Sequence, residues 1–192
     1  MITTKYRLAQ GGIVKPSEII QSCPIEVGDT YLAHIITPFG TTDGKNGFHH
    51  GIDMLVNHNG KQHLGPVISC FDFGIIVFAD HYNDAGKTII IMDLKSSTRL
   101  QRVVACYCHL NEIYSNVGDI VVKKERIAYM GGTGITTNQY REHLHFSLNI
   151  LEKNIPITKA ISGYGARNPF DFGLQNFPFS YQKTDIEQYI TI

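Results

Sequence analysis

Apolar and polar positions alternate along most of this chain with the two-residue period of β-strands. From Tyr31 onward the runs YLAHII, GIDMLV, PVISCF, GIIVFAD, KTIIIMDL, QRVVACYCHL, IVV, RIAYMG and HLHFSLNI are rich in β-branched and aromatic residues. Successive side chains on a strand leave on opposite faces, so each run can bury one face and spare the other. The segments GKNG (44–47), HNG (58–60), NDAG (83–86), VGD (117–119) and GGTG (131–134) separate the runs and favour turns. Almost no 3.6-residue period lies between them. The pattern therefore predicts an all-β fold, an antiparallel sandwich or open barrel, and not a βαβ sheet. Short helices are expected only at the flanks: SEIIQS with Ser17 as N-cap, and TDIEQYI capped by Thr184 or Asp185. The segment NPFDFG reads as a loop.

Composition narrows the function more than the fold. The chain has 192 residues, 43% of them hydrophobic and 18% charged, enough for one domain with its own core. Seventeen basic and seventeen acidic residues cancel, so there is no cationic field for nucleic acid or anionic membrane. No stretch approaches the eighteen apolar residues of a membrane span. The first twenty residues lack the apolar core of a secretory leader. The four cysteines, Cys23, Cys70, Cys106 and Cys108, lack the spacing of disulfide or zinc-knuckle pairs and suit a reducing compartment.

Two histidine patterns carry the chemistry. In His49-His50-Gly51-Ile52-Asp53, a regular strand would put His49 and Asp53 on one face and His50 on the other. In His143-Leu144-His145, both imidazoles would face a groove while Leu144 enters the core. If the two strands are neighbours, up to three histidines and a carboxylate converge, which suits a hydrolytic metal site. His109 ends another run and can reach the same groove. Tyr107, two residues earlier, would then either add a phenol to the groove or pack as a strand tyrosine. A rival cysteine–histidine site at Cys106, Cys108 and His109 has the wrong spacing for a structural zinc. His34, His58, His63 and His81 show no partner pattern. There is no H-E-x-x-H helix for a glutamate-based mechanism.

In order, the motifs His49-x-Gly51-x-Asp53, Tyr107-x-His109-Leu110 and His143-x-His145 resemble those of the lysostaphin-like zinc endopeptidases, which hydrolyse the peptide part of peptidoglycan. The segments GPVISCFDFGIIVFAD and VGDIVVKKERIAYMGGTG also resemble that family, and the likeness covers about residues 35–150. The resemblance implies that His49, Asp53 and His145 bind zinc (Zn2+) and that His109 and His143 are non-ligand catalytic histidines. It implies an antiparallel β-sheet groove as the fold, and a zinc-activated water as the nucleophile. With the Gly- and Pro-bearing start of the chain, this divides it into a lead-in (1–30), a zinc peptidase core (31–150) and a C-terminal extension packed on the core (151–192), which the family motif does not predict. The partner it implies is a peptidoglycan peptide at the bacterial cell wall, extracellular or periplasmic, within a phage or cell-envelope assembly. The absent leader leaves a phage or virion origin and a secreted bacterial enzyme both open; the unpaired cysteines, the divergent loops and the lack of a recognisable wall-binding repeat favour a phage-encoded or virion-associated origin. Two other readings share these residues: a non-hydrolytic binding or regulatory module on the same fold, and a related D-Ala carboxypeptidase. The chain departs from the family in the longer segment ITTNQYRE (135–142), which should alter one groove wall, and in Lys124 and Ala128, where glycines are usual.

Overall fold

A computed structural model describes residues 16–27, 32–42, 47–59, 61–134, 142–177 and 179–180. The expected terminal helix at 184–190, most of the 135–142 segment and part of the GKNG turn lie outside the described residues. The strands are β1 (Leu32–Thr37), β2 (Ile52–His58), β3 (Lys61–His63), β4 (Pro66–Ile68), β5 (Phe73–His81) and β6 (Lys87–Asp93). They continue as β7 (Gln101–Ile113), β8 (Ile120–Val122), β9 (Arg126–Met130), β10 (Leu144–Glu152), β11 (Ala166–Arg167) and β12 (Phe179–Ser180). They form one sheet in the order β12-β1-β2-β10-β7-β6-β5-β8, with β3, β4, β9 and β11 pairing off this path. All pairings are antiparallel except β1 with β12. Among the described residues the helices are single 3-10 turns. The one at Pro16–Glu18 is opened by Pro16, a residue earlier than the expected cap at Ser17.

Every run read as a strand is one. The three additional strands, β3, β11 and β12, have two or three residues each and are defined by their partners more than by their own pattern. NPFDFG contains a 3-10 turn, Pro169–Phe172. The Asn168 side chain accepts from the Phe170 amide at 3.2 Å, and Gly173 ends the turn with φ 115°.

The sheet has two faces with different burdens. Ile52, Met54, Leu144, Phe146, Leu148, Val103, Ala105, Tyr107, Ile89 and Ile91 point to the main core, in register across β2, β10, β7 and β6. Each fully buried aliphatic or aromatic side chain contributes roughly 1.5–3 kcal/mol. Residues 16–27 and 169–177 cover this face: Ile20 and Ile25 are buried, and the Ile20 amide donates to the Phe172 carbonyl at 2.8 Å. The alternate residues Asp53, His145, Ser147, Asn149, Cys106 and Cys108 point the other way. There a smaller apolar cluster around Ile90, Val104 and Cys106 covers part of the surface. The part with Asp53, His145 and Cys108 is open.

Candidate metal centre

The open part of this face floors a cleft of about 440 Å³, in the usual size range for a ligand pocket. Strand register places its floor. Asp53 on β2 pairs with His145 on β10, which pairs in turn with Cys108 on β7, so three adjacent strands present these side chains side by side. His143, just before β10, bridges to Gly131 and is also on the cleft side. Leu144 between the two histidines is fully buried in the core, as the alternation requires.

His49 reaches the same point by another route. It precedes β2 and lies in a small loop hairpin, with its amide donating to the Thr41 carbonyl and its carbonyl accepting from Gly40, both at 2.9 Å. The expectation that His49 and Asp53 share a strand face is therefore replaced by a loop that delivers His49 over the start of the strand. Gly51 makes this possible. A Cβ there would sit 2.5 Å from the Phe146 carbonyl oxygen and 2.7 Å from His145 Nε2, so no larger residue lets the loop approach so closely.

Three ligand-type atoms meet. His49 Nε2 is 3.1 Å from Asp53 Oδ1 and 3.1 Å from His145 Nδ1, and His145 Nδ1 is 2.9 Å from Asp53 Oδ1. His49 Nδ1 donates to the Pro38 carbonyl at 3.0 Å, so in the neutral ring the lone pair is on Nε2, toward the other two atoms, while the protonated ring donates from Nε2 to Asp53. Zinc bonds to such donors at about 2.0–2.2 Å, which in a tetrahedron puts ligand atoms roughly 3.3 Å apart. Two imidazoles and a carboxylate at 2.9–3.1 Å fit that requirement, and three electron-rich atoms so close call for a cation among them.

The remaining histidines flank this set. His143 Nε2 is 3.5 Å from Asp53 Oδ1, and the His109 and His143 rings are 4.9 Å apart. His109 Nδ1 donates to the Thr133 carbonyl at 2.9 Å. Thr133 is itself held: its hydroxyl donates to the Leu110 carbonyl at 2.6 Å and accepts from the Lys87 amide at 2.9 Å. His109 has φ 62°. That left-handed residue shifts the alternation of β7 by one, so Cys108 and His109 both line the cleft while Leu110 returns to the core. Tyr107 is consequently not a groove residue. It is fully buried against Phe146, and its hydroxyl accepts from the Cys70 amide at 3.1 Å.

Electrostatics follow from this packing. Burial works against the Asp53 carboxylate, but hydrogen bonds from His143, His145 and His49 outweigh it and hold its pKa well below the usual carboxylate value. Burial lowers the pKa of His49; the Asp53 hydrogen bond and charge and the Pro38 carbonyl more than reverse this, and the net shift is upward. Burial pushes His109 down to about 4, with a further lowering from His143 and His145. His50, expected on the opposite face, also lines the cleft, but it supplies none of the three meeting atoms; its ring is 5.2 Å from that of Phe48. The four cysteines are free and buried, so no cysteine–histidine metal site forms among the described residues.

All five side chains singled out by sequence thus lie in one cleft. Reasoning from sequence missed other lining residues: Phe48, Asp84, Ala85, Ile161 and Ser162. Asp84 and Ala85 belong to the NDAG segment already read as a turn; Phe48, Ile161 and Ser162 carried no such signal.

Comparison with known proteins adds to this geometry. Residues 47–157 match the profile of Peptidase family M23, a span that holds all five side chains. The fold is similar to the catalytic domain of the antimicrobial peptidase lysostaphin from Staphylococcus simulans, at 25% identity and TM-score 0.51, over 72% of this chain and 90% of that one. It is similar to LytU at 26% identity and TM-score 0.54, over 76% of this chain and 87% of that one. A zinc-containing peptidase from Vibrio cholerae shares the fold at 23% identity and TM-score 0.52, over 73% of this chain; the match spans 39% of the Vibrio protein.

Proposed function

The chain belongs to peptidase family M23, and from that premise we propose that it is a zinc-dependent endopeptidase hydrolysing peptide bonds of bacterial peptidoglycan, in stem peptides or cross-bridges. The observation that carries this reading is the meeting of His49 Nε2, Asp53 Oδ1 and His145 Nδ1 within 2.9–3.1 Å of one another in a cleft that also holds His109 and His143. In this reading the first three side chains hold the ion and leave a position open for substrate chemistry. When bound, zinc supplies Lewis acidity that polarises the scissile carbonyl and makes water a nucleophile at neutral pH.

The chain's own residues supply the rest. His109 donates Nδ1–H to Thr133, so its lone pair is on Nε2. With its pKa held at about 4 by burial, it is neutral at pH 7 and can accept a proton. The acid it becomes is strong and readily passes that proton to a departing amine. His143 sits between Asp53 and the His109 ring and suits hydrogen bonding to the developing oxyanion. Asp53 orients the imidazoles around it. The same reading treats residues 31–150 as the peptidase core, residues 1–30 as a lead-in and residues 151–192 as an extension. It puts the site of action at the bacterial cell wall.

The test is digestion of purified peptidoglycan followed by mass spectrometry of the released muropeptides. The wild type should sever peptide bonds, His145→Ala should sever none, and His109→Asn should be slower by about 10²–10⁴-fold. Full activity in His145→Ala would sink the assignment.

A further inference from the structure

His109 stands where β7 loses its register with β6. Lys87 pairs with Leu110 and Ile89 pairs with Tyr107, so the single residue Thr88 faces two, Cys108 and His109. This is a β-bulge, and His109 within it has φ 62°. A residue with a side chain keeps that backbone region only where its surroundings impose it. Much of the imposition comes from one residue, Thr133. Its hydroxyl accepts from the Lys87 amide at 2.9 Å and donates to the Leu110 carbonyl at 2.6 Å, so it joins the pair of residues that borders the bulge. Its carbonyl oxygen accepts from His109 Nδ1 at 2.9 Å. The side chain of Thr133 thus grips the main chain beside His109, while its main chain grips the ring.

Close packing fixes Thr133 in turn. A Cβ on Gly86, which has φ 66°, would sit 2.3 Å from the Thr133 carbonyl carbon and oxygen, so the turn before β6 lies directly on the carbonyl that holds the ring. A Cβ on Gly134 would sit 2.4 Å from the Asp84 carbonyl oxygen and 3.3 Å from His109 Nδ1. The NDAG and GGTG turns therefore interlock beside the imidazole. Two residues before Thr133, the Gly131 carbonyl accepts from the His143 amide at 3.0 Å. Residues 131–133 thus hold both histidines that flank the ligand-type atoms. The bonds of Thr133 run to β6 and β7, whereas Asp53 and His145 stand on β2 and β10 and His49 is held by Pro38. The arrangement separates placing His109 from assembling the metal ligands.

We propose that Thr133 is the positioning residue of His109. Its hydroxyl holds the bulge that turns the imidazole into the cleft, and its carbonyl keeps the ring proton on Nδ1, which puts the lone pair on Nε2. The catalytic part of this inference rests on the reading of the protein as a peptidase. The hydroxyl matters for its two hydrogen-bonding roles, donor and acceptor, and both are used. Valine has nearly the shape of threonine but neither role; serine keeps both roles without the methyl. A misplacement of about 1 Å in a catalytic constellation can cost about 10²-fold in rate.

The test compares wild type, Thr133→Ser and Thr133→Val as zinc-loaded protein. Long-range nitrogen–proton NMR spectra of the histidine rings read which nitrogen carries the proton, and hydrolysis of peptidoglycan fragments reads kcat and KM. His109 should keep its proton on Nδ1 in wild type and in Thr133→Ser and lose that preference in Thr133→Val. Zinc content and KM should be the same in all three. The kcat of Thr133→Val should fall by about 10²-fold, and that of Thr133→Ser should stay at the wild-type value. A role confined to stability would lower the melting temperature of Thr133→Val and leave the tautomer and kcat as in wild type, which would overturn the proposal. Loss of zinc from Thr133→Val would overturn it as well, because the effect would then pass through the metal ligands. If Thr133→Val does not fold, Thr133→Ala, which leaves room for a water at the hydroxyl position, takes its place with the tautomer as readout. A wild type that cuts no peptidoglycan would overturn the peptidase reading, and the tautomer spectra alone would then decide for or against Thr133.

Discussion

His109 shows how much chemistry one backbone angle can decide. Its φ of 62° turns the imidazole to the cleft side, where regular alternation would have sent it into the core beside Tyr107. Burial there lowers its pKa from 6.5 to about 4. The folded chain therefore favours the neutral ring more than the unfolded chain does. That contribution to stability is complete above pH 6.5 and is lost as the pH falls toward about 4. Thermal melts of metal-free protein between pH 7 and pH 4 should show this loss. His109→Asn, which keeps a residue tolerant of positive φ, should flatten the slope. Parallel pH profiles for the two proteins would contradict it. Gly51 is the second decisive residue: a methyl added there meets the Phe146 carbonyl and the His145 ring. Gly51→Ala should lose metal affinity and activity together, read by zinc titration and peptide hydrolysis on the same sample. Sequence marked Gly51 and both histidine patterns. It could not mark the left-handed turn at His109, because histidine does not signal positive φ.

At the scale of elements, alternation was legible wherever a run had enough length to show it. The partner strands of two or three residues were not legible, because their pairing comes from tertiary contact. His49 shows the same limit from the other side: its four-residue spacing to Asp53 is compatible with a strand, yet a loop hairpin delivers it. Tyr107, left open between groove and core by its sequence, packs as a strand tyrosine. Its hydroxyl accepts from the buried Cys70 amide and thereby ties β7 to the segment after β4. Tyr107→Phe should cost about 1–3 kcal/mol of stability by leaving that amide unsatisfied, measured by denaturant unfolding, with zinc affinity unchanged. A loss of zinc affinity without a loss of stability would return Tyr107 to the groove. Lys124, with φ 67°, occupies an exposed turn where glycine is the unstrained choice. Its amide bonds to the Ser69 carbonyl at 3.0 Å, which holds it in that conformation.

The whole molecule is a sheet whose one face is committed to a core and whose other face is shared between a small apolar cluster and the cleft. The core does not include the three ligand-type atoms of His49, Asp53 and His145, which the proposed reading assigns to the metal. Removing the metal with a chelator should therefore lower the melting temperature, as loss of any native-state ligand does, while leaving the β-sheet signal of circular dichroism intact. Collapse of that signal at 25 °C would mean that the ion is part of the core. The five side chains that meet in the cleft were legible because histidine and aspartate at strand spacing are rare signals. The lining residues Ile161 and Ser162 were not, because ordinary residues line a cleft only where tertiary contacts place them; here Asn149 ties the carbonyls of Ala160 and Tyr164 to the sheet. The central claim is the division of labour among the histidines, and zinc stoichiometry per chain tests it most directly. The account predicts one ion in wild type, in His109→Asn and in His143→Ala, and loss of the ion in His49→Ala, Asp53→Ala and His145→Ala. Loss of zinc from His143→Ala with retention in His145→Ala would contradict it.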